Sequence, residues 1–167
     1  MKTPLYYAVM GRYTDVIEVL LNAKVSVDLV DFMGMTALHM AAERGLDDAV
    51  AVLIAVKAEV NARNSDGANP LHYAAVQDNS ETRRTLIDAK AVVNASDRSH
   101  DTPLHRACEE GQHVVVVQRR FDAKAEADAK KRADETPLHL AAEAGHAAVV
   151  RILTASLAAP VLDGISP

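Results

Sequence analysis

The sequence predicts an all-α solenoid of stacked helix pairs. Three observations carry that prediction. One short phrase recurs five times at a nearly constant step, and an amphipathic segment of helical period follows it. The apolar content of 49% is rich in Ala and Val, with aromatics at 4% and no Trp. Small side chains suit close helix–helix packing better than a core built on large rings. One helix pair cannot bury its apolar stripe alone, so neighbours must stack.

The clearest copy is Thr136-Pro137-Leu138-His139-Leu140-Ala141-Ala142-Glu143-Ala144-Gly145-His146. Thr136 is placed to cap the helix, its hydroxyl taking an orphan backbone N–H. Pro137 stands at the first helical position, where its missing N–H costs nothing. His139 is close enough to hydrogen-bond back toward the cap. Leu138, Ala141 and Ala142 form a small apolar face, and Gly145 stops the helix in a left-handed conformation. The equivalent caps are Thr3, Thr36, Asn69 and Thr102, at steps of 33, 33, 33 and 34 residues through Thr136. Asn69 caps as well as Thr does, Ala37 replaces Pro as a strong helix former, and Tyr6 replaces His in the first copy.

The second helices are expected over Asp15 to Asn22, Asp47 to Val56 and Ala147 to Leu153, each with an apolar stripe. A recurring phrase follows, as in Val56-Lys57-Ala58-Glu59-Val60-Asn61 and Ala89-Lys90-Ala91-Val92-Val93-Asn94. A polar turn then leads to the next cap. Gly34 and Gly67 lie two residues before a cap, where a tight turn uses positive φ.

In period, in the Thr-Pro-Leu-His-x-Ala-Ala core and in the Asp or Asn that precedes each turn, the chain resembles ankyrin repeats. The resemblance implies antiparallel helix pairs joined by short β-hairpin loops that project like fingers. It implies one repeat domain over 1–160, with repeats near 1–28, 29–61, 62–94, 95–128 and 129–160, and a tail at 161–167. Several positions depart from the family pattern. Lys24, Lys57, Lys90 and Lys124 stand where Gly is usual after the second helix, and a non-Gly residue in the left-handed region costs about 1 kcal/mol. His100 and Asp134 replace the hairpin glycine. The fourth repeat holds the extra residue. Its segment 112–121 strings four valines before Arg119 and Arg120, so an irregular helix is expected there. Thr82 and Arg83 repeat the defect more mildly. The first copy lacks a finger before Thr3, and Pro160 ends the last helix, leaving Val161 to Ile165 to lie against the final pair.

A formal charge of −5 offers no long-range attraction to nucleic acid or to an anionic membrane. No apolar run is long enough to span a bilayer. Met1-Lys2-Thr3-Pro4 enters the first copy directly, so no signal peptide is expected. The single cysteine, Cys108, excludes an internal disulfide and fits a reducing compartment, the cytoplasm or the nucleus. His39, His72, His105 and His139 recur once per repeat, about 10 Å apart in a stack, too far apart for one such row to share a zinc ion. His105, Cys108, Glu109 and His113 are denser, but Cys108 occupies a small-residue packing position and reads as a buried small hydrophobe. Glu109-Glu110 and Asp47-Asp48 read as solvated charges near helix ends. No catalytic residue, cofactor or metal is expected.

The resemblance implies a non-enzymatic module that binds another protein through the hairpin tips and the concave face of the first helices. Carried over by position, the contact residues are Tyr7, Phe32, Met33, Met35, Met40, Asp66, Tyr73, Arg98, Asp101, Arg106, Glu109, Arg132, Glu135 and Glu143. The apolar members cluster toward the N-terminus and the charged ones toward the C-terminus. That division suggests an apolar anchor beside a charged strip that sets register. The alternative is that Phe32 and the methionines are packing residues for a preceding finger that is absent or truncated, exposed by that alone. The lysine column reads either as a strip for an acidic partner or as cations favoured at helix C-termini. Asn61 and Asn94, with Leu53 and Leu86 eight residues before them, resemble family sites of asparaginyl hydroxylation; fixing the loop by side-chain hydrogen bonds also accounts for them. A monomer is expected. The alternative is a regulatory domain or fragment of a larger enzyme, channel or scaffold.

Overall fold

The computed structural model describes residues 3–77, 80–111 and 125–158. Five first helices appear: α1 (Pro4–Met10), α3 (Ala37–Glu43), α5 (Pro70–Val76), α7 (Pro103–Glu109) and α8 (Pro137–Glu143). Among the described residues, four second helices pair with them: α2 (Thr14–Asn22), α4 (Asp47–Ala55), α6 (Ser80–Asp88) and α9 (Ala147–Ala158). The first helices stack in one layer, α1 on α3, α3 on α5, α5 on α7 and α7 on α8; the second helices form the other, α2 on α4 and α4 on α6.

Each first helix starts as its cap predicts. The Thr3 hydroxyl accepts the Tyr6 N–H at 3.0 Å. In the four later copies the cap and the His at the third helical position form a reciprocal capping box. The helices touch through alanines: Ala41, Ala42, Ala74, Ala75, Ala107 and Ala141 are wholly buried. Leu38, Leu53, Leu71 and Leu86 fill the space between layers.

The expected β-hairpin loops are absent: no strand occurs among the described residues. Each finger is instead a five-residue turn closed by one backbone bond. Asp31 N–H donates to the Met35 carbonyl at 3.0 Å, Asn64 to Ala68 at 3.0 Å, Asp97 to Asp101 at 3.0 Å and Lys131 to Glu135 at 2.9 Å. A hairpin needs the reciprocal bond as well. In three fingers a side chain takes that N–H: Asp31 Oδ1 accepts from Met35 N at 2.9 Å, Asn64 Oδ1 from Ala68 N at 2.9 Å and Asp97 Oδ1 from Asp101 N at 3.0 Å. In the fourth, Arg132–Asp134 coils into a 3-10 turn.

The left-handed positions follow expectation. Gly34, Gly67, His100 and Asp134 have φ of 73°, 79°, 66° and 61°, and Lys24, Lys57 and Lys90 have 58°, 66° and 72°. Lys124, the segment 112–121 and the tail 161–167 lie outside the described residues. Helix α6 is continuous despite its polar residues. The Thr82 hydroxyl donates to Asp47 of α4 at 2.5 Å, and Arg83 Nη1 donates to the Gln77 carbonyl at 2.7 Å. Helix α9 runs five residues beyond Leu153 and stops before Pro160.

Candidate protein-binding face

The repeated histidines place the fingers. His39 Nδ1 stands 2.8 Å from the Thr36 hydroxyl and accepts the Thr36 N–H, so the hydroxyl donates to it as well. The proton is therefore on Nε2, which donates to the Ala68 carbonyl of the next finger at 3.1 Å. His72 reaches the Asp101 carbonyl at 3.0 Å and His105 the Glu135 carbonyl at 3.3 Å in the same way. Burial holds all three below the ordinary histidine pKa, His72 down to about 4, where Arg106 and Arg63 add to the effect. At His39 and His105, where Nδ1 faces a hydroxyl and an N–H that can both donate, a neutral ring is the form this geometry requires; at His72 burial is what favours it.

A second column ties the far ends of the repeats. Asp28 Oδ1 accepts the Glu59 N–H at 2.9 Å, Asn61 Oδ1 the Val92 N–H at 2.8 Å, and Asn94 Oδ1 the Glu126 N–H at 3.0 Å. Asn61 Nδ2 also donates to the Lys90 carbonyl at 3.1 Å. Asn61 and Asn94 thus hold the following repeat rather than their own loop.

The fingers are joined to one another. Ser65 N–H donates to the Met33 carbonyl at 2.9 Å, Arg98 N–H to the Asp66 carbonyl at 2.8 Å, and Arg132 Nη2 to the Arg98 carbonyl at 3.1 Å. The tips form a row in fixed register. Phe32 is 78% exposed at its start, and Met33, Asp66, Arg98 and Arg132 are exposed along it. On the first helices Tyr7, Glu109 and Glu143 are exposed, while Tyr73, Arg106, Asp101 and Glu135 are half-buried. Met35 and Met40 are buried and offer almost no surface.

Several of these residues meet in one cluster across three repeats. Arg106 Nη2 donates to Asp97 Oδ2 at 2.7 Å, and its guanidinium lies 5.4 Å from the Tyr73 ring centre. Asn64 Nδ2 donates to the Tyr73 hydroxyl at 2.7 Å and lies 3.4 Å from Met35 Sδ. The Tyr73 ring meets His39 edge-on at 5.9 Å. Burial raises the Tyr73 pKa, with Arg106 opposing it, so the phenol stays protonated. Burial would raise the Asp97 carboxyl too, but the Arg106 bond and the Asp101 and Ser99 N–H groups outweigh it and hold it below the usual carboxylate range. Asn64 and Asp97, central to this cluster, were not among the predicted contact residues. Their signal was present: an Asp or Asn at 31, 64 and 97, at the repeat step.

Beside Arg106 lies an open groove of about 420 Å³, lined by Asp66, Val76, Asp97, Arg98, Ser99, Asp101, Arg106, Glu109 and Glu110. Five carboxylates there face two guanidinium groups. Among the described residues no group of three or more His, Cys, Asp or Glu is placed to hold a metal ion. Cys108 is buried in α7. No helix among the described residues is long and apolar enough to cross a membrane.

No curated protein matches this chain. A family model described as ankyrin repeats (3 copies) matches residues 1–64, 53–119 and 97–161, nearly the whole length. With its repeated capping boxes and stacked helix pairs, the chain belongs to the ankyrin repeat family, whose members serve as protein-interaction modules.

Proposed function

We propose that this protein binds a segment of another protein along the row of finger tips and the adjoining first helices. The segment presents an apolar side chain to Phe32 and Met33 and basic side chains to the groove at Asp66, Asp101, Glu109 and Glu110. The observation that supports this most is the chain of backbone bonds between fingers, which keeps exposed Phe32 and Met33 in register with the acidic groove. A prepaid register spares the partner the entropy of ordering loops. Asp97 and Arg106 line the groove, the Arg106 guanidinium lies over the Tyr73 ring, and Met35 and Met40 are buried in the core. Tyr7, Arg98, Arg132, Glu135 and Glu143 line the flanks as rim contacts.

A display library of random peptides tests the reading. It expects enrichment of peptides that combine Lys or Arg with a large apolar residue. The double variant Phe32→Ala/Met33→Ala weakens their capture, and Glu109→Lys/Glu110→Lys abolishes selection for basic residues. Enrichment of acidic peptides, or capture indifferent to both variants, would sink it.

A further inference from the structure

The start of α8 lacks a contact that the starts of α3, α5 and α7 all make. His139 is exposed, whereas the equivalent His39, His72 and His105 are wholly buried. Its cap, Thr136, is half-buried, whereas Thr36, Asn69 and Thr102 are buried. His139 Nδ1 accepts the Thr136 N–H at 3.2 Å and lies 2.8 Å from the Thr136 hydroxyl, which donates to it, so the proton is on Nε2. In the three earlier copies that nitrogen bonds the carbonyl of the residue just before the next cap, at Ala68, Asp101 and Glu135. His139 Nε2 has no such acceptor among the described residues.

The residues that follow α9 carry the pattern of the missing acceptor. Two earlier fingers lead into their caps as Gly34-Met35-Thr36-Ala37 and Gly67-Ala68-Asn69-Pro70, and Gly164-Ile165-Ser166-Pro167 repeats that order: a glycine, one residue, a capping residue, then Pro or Ala. Gly34 and Gly67 hold φ of 73° and 79° at that place. We propose that residues 161–167 fold onto the start of α8 as a further finger, the Ile165 carbonyl accepting the His139 Nε2 proton. Ile165 turns inward as its equivalents Met35 and Ala68 do, both of which are buried, and it shields the ring. Ser166 lies 30 residues after Thr136, three short of the usual 33. The shorter connection still reaches. Ile165 lies seven residues beyond the end of α9 at Ala158, and an extended chain of that length spans about 23 Å against about 10 Å between packed helices. Leu162 and Asp163 then take the tip positions that Phe32 and Met33 hold, and the row of tips lengthens by one finger.

Labelling of the full chain with diethyl pyrocarbonate, which acylates accessible imidazoles, tests this, with the rate at each histidine read by mass spectrometry. His139 reacts about tenfold more slowly than the exposed His100, since a docked finger must open before the reagent can enter. Gly164→Val removes that protection, because a β-branched side chain disfavours the positive φ that the finger needs. His39, His72 and His105 stay protected in the same variant, which shows the stack intact. A chain ending at Pro160 gives the same result. His139 labelled as fast as His100 in the unaltered chain overturns the proposal. So does protection that survives either variant, and so does protection that grows with protein concentration, which would assign the face to a second copy.

Discussion

Acid should loosen this stack through His72, and the size of the effect follows from its surroundings. The ring is wholly buried and held neutral, with a pKa near 4 against 6.5 in the unfolded chain. Between those values the unfolded state binds a proton that the folded state refuses, so stability falls as pH falls. The contribution is fully present above about pH 6.5 and is lost progressively toward pH 4. Two and a half pKa units correspond to about 3 kcal/mol. His39 and His105 act in the same direction, since burial depresses both. Asp97 titrates below this window, because its pKa is already below the usual carboxylate value. The decisive comparison is His72→Gln. Gln still returns a side chain to the cap N–H, but it does not titrate and cannot reproduce the ring's bridge to Asp101. It should cost about 2 kcal/mol at pH 7.5 through the carbonyl left without its donor. It should also flatten the pH dependence by about 3 kcal/mol, so the two proteins converge in stability near pH 5 and cross below it. Urea unfolding followed by circular dichroism from pH 7.5 to 4 measures both. Parallel curves for the two proteins would refute the reasoning, as would a wild-type curve that rises on acidification.

Three further outcomes are expected from denaturant unfolding. Gly34→Ala should cost about 2 kcal/mol, since φ is +73° and the new Cβ meets the Ser65 backbone nitrogen at 2.9 Å; Gly145→Ala, with similar φ and open space, should cost about 1 kcal/mol. Asp97→Ala should cost about 3 kcal/mol, because it removes the acceptor for Arg106 and for two backbone N–H groups at a buried site. Asn61→Ala should cost about 1–2 kcal/mol through its bonds to Val92 and Lys90, and it should raise hydrogen exchange at the Val92 amide specifically.

Much of the fold was legible because its determinants are local. A Thr or Asn, a Pro and a His within four residues specify a helix start, and the structure shows the same box four times. The left-handed Lys24, Lys57, Lys90, His100 and Asp134 were legible for a related reason: each stands at a position of the repeat whose backbone geometry does not depend on the side chain. The β-hairpins failed for a chemical reason that sequence did display. Asp31, Asn64 and Asp97 are strong acceptors for N–H groups two and four residues on, and they capture the bond that would have completed a ladder.

The candidate site was less legible because its order arises between repeats. The bonds that set the tips in register run over about 29–34 residues: His39 to Ala68, Ser65 to Met33, Arg98 to Asp66. Repeat position marked Met35 and Met40 as contact residues, yet both are buried, Met35 with Asn64 Nδ2 at 3.4 Å from its Sδ. The same argument separates scaffold from function. A side chain whose partner recurs one period away is committed to holding the stack, as the histidine and Asp28/Asn61/Asn94 columns are. What remains exposed is Phe32 and Met33 at the tips and Asp66, Glu109 and Glu110 in the groove. On the reading proposed above, differences between copies at those places, rather than the repeated phrase, set partner choice.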